Sequence, residues 1–301
     1  MPLPPQDPAP SLIDFARERL GESWGPLGAR LDMLEMPQRR LALWLIAAEA
    51  LALVEYRLED KIDGLRVLTF GVDDADRDPS PVVTAYVLPP ALETNRRRVM
   101  PELPVPGENG DGVFIPVMPE PWDLTLHSRI NLLYGTLGCW VKPKAGGEAI
   151  VTVRHAVASG RVHLDDGSVQ HVLWYAPNCL DAAVAKGPSG RALAPLASAV
   201  PTVGDAVDVM AKGGAQARTV NHIGQTFGTV TAAVPHCFLL NQPLQSGDSG
   251  SLVRLHGRGE ALGLYVGALA TSTGPRGFCQ GLHQLDRLFS AARQSEGFYE
   301  E

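Results

Sequence analysis

No two cysteines in this chain stand close enough to clamp a metal ion or form a redox pair. Cys139, Cys179, Cys237 and Cys279 are each at least 40 residues from the next, so CxxC motifs are excluded and buried free thiols are expected. Long apolar runs are missing too. The longest, LALWLIAAEALALV at residues 41–54, has 14 residues and includes Glu49, short of the roughly 20 needed to cross a bilayer; it reads as a buried helix, with no membrane partner. The opening MPLPPQDPAPSL has prolines where an export signal needs a basic start and an apolar core, so a reducing, cytoplasmic setting is expected.

Basic charge is also scarce. A formal charge of −7 argues against a general nucleic-acid binder, whose affinity comes from Lys and Arg neutralising phosphates. The one tight basic run, Arg96, Arg97 and Arg98, reads as a solvated loop. There is no GxxxxGK[ST] loop and no HExxH, and HGRGEALG misses the dinucleotide spacing, so neither cofactor nor metal is expected. His163, His171 and Cys179 are the remaining metal candidates, although histidines beside a hairpin are ordinary.

What the chain has is turns. With 31 glycines and 25 prolines in 301 residues it suits many short strands, and its length suits two domains. Helices come first. Ser11 with Asp14 three positions on resembles a capping box opening a short helix, and from Pro37 good helix formers run unbroken to Gly64. LRVLTFGV and PVVTAYVLP then read as strands, completing a small α/β N-terminal domain over residues 1–100. Six prolines around GENGDG make residues 101–126 the expected Pro-rich linker.

Beyond it, eleven short apolar runs cut by turn signals point to barrels or a sandwich. DDG at 165–167 and HGRG at 256–259 read as hairpin turns, and LHQLDRLFSAAR reads as a C-terminal helix.

One stretch asks for chemistry: QSGDSGSLV at residues 245–253 places Asp248 and Ser249 between two glycines ahead of a strand. A serine attacks only when a base takes its proton, and the base needs a carboxylate to hold its tautomer. Among eight histidines, His155 ends the apolar run AIVTVR, whereas His163 and His171 flank a hairpin, His222 reads as a loop residue and His256 as a turn residue. Asp181 opens the small-residue strand DAAVAK; its rivals Asp165 and Asp166 are explained by their turn.

With these residues the region from about 127 to 290 resembles a chymotrypsin-fold (trypsin-like) serine peptidase of bacterial type. VRHAV is similar to that family's histidine motif, LDAAVAK to its aspartate strand, SGDSGSLV to its nucleophile motif and GTLGCWV to its first strand. The order His, Asp, Ser is also the family's. The resemblance implies a mainly β fold of two six-stranded antiparallel β-barrels in a peptidase domain over residues 127–301, behind the α/β domain.

It also implies roles: Ser249 as nucleophile, His155 as base then acid, Asp181 as orienting carboxylate, and the amides of Gly247 and Ser249 as oxyanion hole. The substrate pocket falls at Pro243, Leu244, Tyr265, Val266, Gly267 and Ala268; with no acid at its floor, a small or apolar residue before the cut is expected. The partner is then a protein or peptide substrate.

In digestive members a freshly cut N-terminus pairs with the acid beside the nucleophile, here Asp248. About 130 residues precede the domain, so Asp248 needs another partner, and the N-terminal region, or an activating protein bound to it, is expected to control the oxyanion hole. The competing reading is a protease-fold binding or scaffold module whose triad is unassembled.

Overall fold

A computed structural model describes residues 10–52, 57–73, 80–107, 111–126, 138–141, 148–157, 160–164, 168–176, 181–187, 199–226 and 237–282. The N-terminal helices are α1 (Pro10–Leu20), α2 (Trp24–Leu31) and α3 (Met36–Leu51), which starts on Pro37 as expected. α3 is buried nearly all round from Leu45 onward, as a helix without a polar face must be. It is shorter than its composition predicts. Arg57 takes a left-handed φ of 36°, which no α-helix continues through, and the four-residue α4 (Leu58–Lys61) follows it. A fifth helix, α5 (Pro89–Arg97), carries Arg96 and Arg97, so the basic run expected as a loop is mostly helical, with Arg96 paired to Glu93 and Arg98 to Asp63 at the surface.

The strands are β1 (Leu65–Asp73), β2 (Ser80–Val87), β3 (Glu102–Pro106), β4 (Gly112–Pro121), β5 (Leu124–Leu126), β6 (Cys139–Val141), β7 (Ala149–Thr152), β8 (Arg161–His163), β9 (Val169–Tyr175), β10 (Ala183–Lys186), β11 (Ala206–Ala211), β12 (Gly214–Thr226), β13 (Cys237–Leu240), β14 (Leu252–Leu255), β15 (Ala261–Leu269) and β16 (Arg276–Gly281). The fold is mainly β. β11, β14, β15, β16, β13 and β12 pair in that order, and a β11–β12 pairing closes them into a six-stranded antiparallel barrel. The half ahead of it is described as a five-stranded antiparallel sheet, β6-β7-β10-β9-β8. This is the chymotrypsin-type architecture that the resemblance implied.

Residues 101–126, expected as a linker, are strands instead. β4 pairs with β3 through its first half, residues 112–116, and in parallel with β2 through its second half, residues 117–121. Each β4 residue therefore faces a single neighbour, which is why Pro116, Pro119 and Pro121 fit a strand despite lacking an N–H. β1 in turn pairs with β12, from Val67 opposite Thr226 to Gly71 opposite His222, so the N-terminal strands extend the closed barrel's own sheet.

One core follows from one sheet. The largest apolar cluster joins Leu12, Leu27 and Leu45 of the helices to Phe70, Val83 and Ile115 of the added strands and to Val207, Phe238 and Tyr265 of the barrel. A buried ion pair crosses the same boundary: Arg30 on α2 donates to Asp205, just before β11, at 2.5 Å. A second cluster, including Val151, Val153, Val184, Leu252, Leu264 and Val266, lies between the two β halves. The expected C-terminal helix falls on residues 282–293, of which only Leu282, buried, is among the described residues.

Candidate active site

β7 ends at Thr152, and after the buried Val153 the chain turns toward the surface. The turn is a single 3-10 segment, Arg154–Ala156, with His155 at its centre. β10 lies antiparallel to β7 with Ala183 opposite Thr152, so the residues just before β10 come back alongside this turn. Two backbone-directed contacts seal the approach: Arg154 N–H donates to the Asp181 carbonyl at 3.2 Å, and His155 N–H donates to Asp181 Oδ1 at 2.9 Å.

The other carboxylate oxygen, Oδ2, bonds His155 Nδ1. A carboxylate at Nδ1 selects the tautomer that carries its proton there and leaves the Nε2 lone pair as an acceptor. Nε2 is buried and has no hydrogen-bond partner among the described residues. The imidazole side chain is 12% exposed and the Asp181 side chain 23%, so the pair lies at the wall of the domain rather than in its centre.

Ser249 sits in the other half, in the turn between β13 and β14. The flanking glycines have positive φ, 99° at Gly247 and 94° at Gly250, values that a side chain would oppose at both bends. Asp248 is buried, and its carboxylate accepts the backbone N–H of Lys212 at 3.3 Å and of Gln245 at 3.1 Å. The partner that the acid needs is thus supplied by main chain. Ser249 is fully buried, and its Oγ donates to the Val266 carbonyl at 2.5 Å.

The structure therefore joins His155 to Asp181 and holds the Ser249 hydroxyl on a different acceptor. The two halves meet at Gly138, whose motif GTLGCWV opens the first sheet. A Cβ there would stand 2.3 Å from the Val151 carbonyl oxygen, 2.6 Å from the Leu264 side chain and 3.0 Å from the Gly250 carbonyl oxygen. Only a glycine lets β7 and the Ser249 turn approach this closely.

No protein-family model matches the chain, and no curated sequence does. Solved structures similar to it include the Nocardiopsis protease NAPase (20% identity, 50% of this chain and 87% of that one, TM-score 0.41). Others are Cellulomonas bogoriensis chymotrypsin (17%, 55% and 90%, 0.39) and the MamO protease domain from Magnetospirillum magneticum (16%, 54% and 92%, 0.36).

The expected pocket residues sit together but are largely covered. Leu244, Tyr265, Val266 and Gly267 are buried, and only Pro243 and Ala268 keep partial exposure. Leu244 N–H donates to the Tyr265 hydroxyl at 3.1 Å, fixing floor to wall, and burial pushes the Tyr265 phenol well above its usual range. Arg218 reaches the Pro243 carbonyl at 3.4 Å.

Other histidines separate clearly from His155. His222, expected in a loop, is buried in the middle of β12 with its ring against Gly71; burial, then the nearby Arg276 cation, lower its pKa to about 3. His256 lies in the expected HGRG turn, exposed and bonded to Asp208 at 2.9 Å. His163 and His171 are exposed on β8 and β9, while Cys179, Asp165 and Asp166 lie outside the described residues. Cys139, Cys237 and Cys279 are buried free thiols, with that of Cys139 pushed up to about 12 by burial.

Proposed function

We propose that the chain is a serine endopeptidase working through Ser249, His155 and Asp181. The observation that carries this reading is the His155–Asp181 pair: a ring held at Nδ1 by a carboxylate, with a buried Nε2, without a partner among the described residues, as its remaining acceptor. A buried acceptor without a donor is costly. A hydroxyl turned onto it from the other half of the molecule would satisfy it.

In this mechanism the Ser249 side chain rotates from the Val266 carbonyl to Nε2. His155 takes its proton as Oγ attacks the substrate carbonyl, then delivers that proton to the leaving amine; an acyl-enzyme forms, and water releases it by the same steps. Asp181 steadies the imidazolium. The amides of Gly247 and Ser249 receive the oxyanion, a contact whose loss costs about 2.7–4 kcal/mol in enzymes of this kind. No acid stands at the pocket floor, which favours a small or apolar residue before the cut. The N-terminal region, through its shared core with the Ser249 half, is proposed to set whether that turn is ready.

The rotamer of Ser249 supports a second reading, a protease-shaped binding module whose hydroxyl stays on Val266. A fluorophosphonate decides between them, because only an activated serine reacts. Labelling of the full chain that is lost in Ser249→Ala and His155→Ala is the expected result. No labelling of the wild type supports the binding module. A peptide library cleaved mainly after Arg or Lys would overturn the specificity proposed here.

A further inference from the structure

The edge of β15 that leads to Ser249 is already occupied by the chain itself. β5 pairs antiparallel with it: Leu124 opposite Leu269, Thr125 opposite Ala268 and Leu126 opposite Gly267. Ala270 N–H continues the ladder by donating to the Asp123 carbonyl at 3.1 Å. The next β15 residue beyond Gly267 is Val266, whose carbonyl holds the Ser249 hydroxyl. Read in its own direction, β5 therefore advances along β15 toward the nucleophile.

A sheet edge offers one row of N–H and C=O groups, and it can pair with one strand at a time. An extended peptide presented to Ser249 along this edge would need residues 267–269, which β5 uses. The fit is close: a Cβ on Gly267 would stand 2.3 Å from the Thr125 carbonyl oxygen. Yet β5 is only three residues long, and Thr125 and Leu126 are exposed, the latter by 41%. Its anchor lies upstream, where Trp122 packs edge-on against Phe278 at 5.5 Å and Tyr86 at 6.4 Å. A short, exposed strand anchored upstream can peel away while that anchor stays in place.

We propose that β5 is an intramolecular strand that occupies the peptide-binding edge of β15 and must be displaced before an extended peptide can reach Ser249. This inference rests on the peptidase reading and adds its regulation. A tethered strand competes at an effective concentration in the millimolar range, so a free peptide binds weakly until the strand leaves. A small reagent that touches only Ser249 and His155 does not need the edge and escapes that competition.

The test compares two reagents on one serine. An alkyl fluorophosphonate reports the nucleophile, and a tripeptidyl diphenyl phosphonate with small apolar residues reports nucleophile and edge together. Thr125→Pro removes a strand N–H, and Leu124→Gly with Leu126→Gly weakens the strand by another route. The expected result in both variants is a rise of about tenfold or more in the peptidyl-to-alkyl ratio of labelling rates, as release of a millimolar competitor implies. An unchanged ratio with alkyl labelling intact overturns the inference and leaves the peptidase reading standing; no alkyl labelling of the wild type removes both. Should the variants misfold, hydrogen exchange on the wild type decides: the amide of Thr125, the β5 residue whose N–H faces β15 in this register, loses protection once the tripeptidyl group is attached to Ser249. Retained protection in the labelled protein overturns the inference.

Discussion

β7 and β10, which bring His155 and Asp181 together, are four residues each, whereas β12 and β15, in the half that holds Ser249, run to 13 and nine. The short strands sit in an open path of five, and β9 alternates only between half-buried and exposed residues. The long strands close into a barrel, and the N-terminal helices and strands thicken that same half into the larger core. Stability is thus invested on the serine side. The His155–Asp181 pair is fixed more locally, by one strand pairing and three contacts to Asp181.

If that division is right, substitutions should separate cleanly into those that stop chemistry and those that unfold the molecule. Asp181→Asn tests the first kind and has the largest expected effect: a loss of about 10⁴-fold in peptide hydrolysis from the wrong imidazole tautomer, with little change in Tm. A Tm that falls with the rate would blur the contrast, because the carboxylate would then be holding the fold as well. Chromogenic peptide turnover and calorimetry on one preparation measure both.

Arg30→Ala tests the second kind. It removes the ion-pair partner of the buried Asp205 carboxylate, which keeps the Thr202 N–H at 2.9 Å and the field of Arg258, and removal of one partner from a buried ion pair costs about 3–5 kcal/mol. Denaturant unfolding should show that loss. A variant that is equally stable would mean that the N-terminal helices are not welded to the barrel as their shared core implies.

Glu49 supplies the effect that is smallest per step, read per unit of pH, and most diagnostic. Burial pushes its carboxyl up from 4.5 to about 8, and one of its oxygens lacks a hydrogen-bond partner among the described residues. Because the folded pKa lies above the unfolded value, its contribution is complete below about 4.5. Stability then falls as pH rises toward about 8, by of order 1 kcal/mol per pH unit. Glu49→Gln should flatten that slope. A wild-type Tm that climbs steadily from pH 5 to 8 would show that Glu49 ionises freely and that the core there is open.

The turn around Ser249 was readable because its cause is local. Two glycines forced to positive φ around Asp248 and Ser249 leave the same signature in any sequence that makes that bend. His155 and Asp181 were readable as the end of one buried strand and the start of another, again a local change of pattern. β12 was not: GAQARTVNHIGQT has no apolar run, and its strand character comes from pairing with β11, β13 and β1 in turn. The prolines of β3 and β4 hid two strands for the opposite reason. Proline is excluded only where an N–H is required, and that depends on which neighbour lies on which side.

By itself, then, the sequence determined the residue types proposed for the site, their order, the glycine-flanked turn at residues 247–250 and the predominance of short strands, since backbone sterics and alternation act over a few residues. Only the tertiary structure decided that Val67 lies opposite Thr226, that β5 lies on β15, and that the Ser249 hydroxyl faces Val266 instead of His155. Those choices depend on which distant hydrogen-bonding groups are brought within reach. That is a property of chain closure and packing, and no local pattern of residues records it.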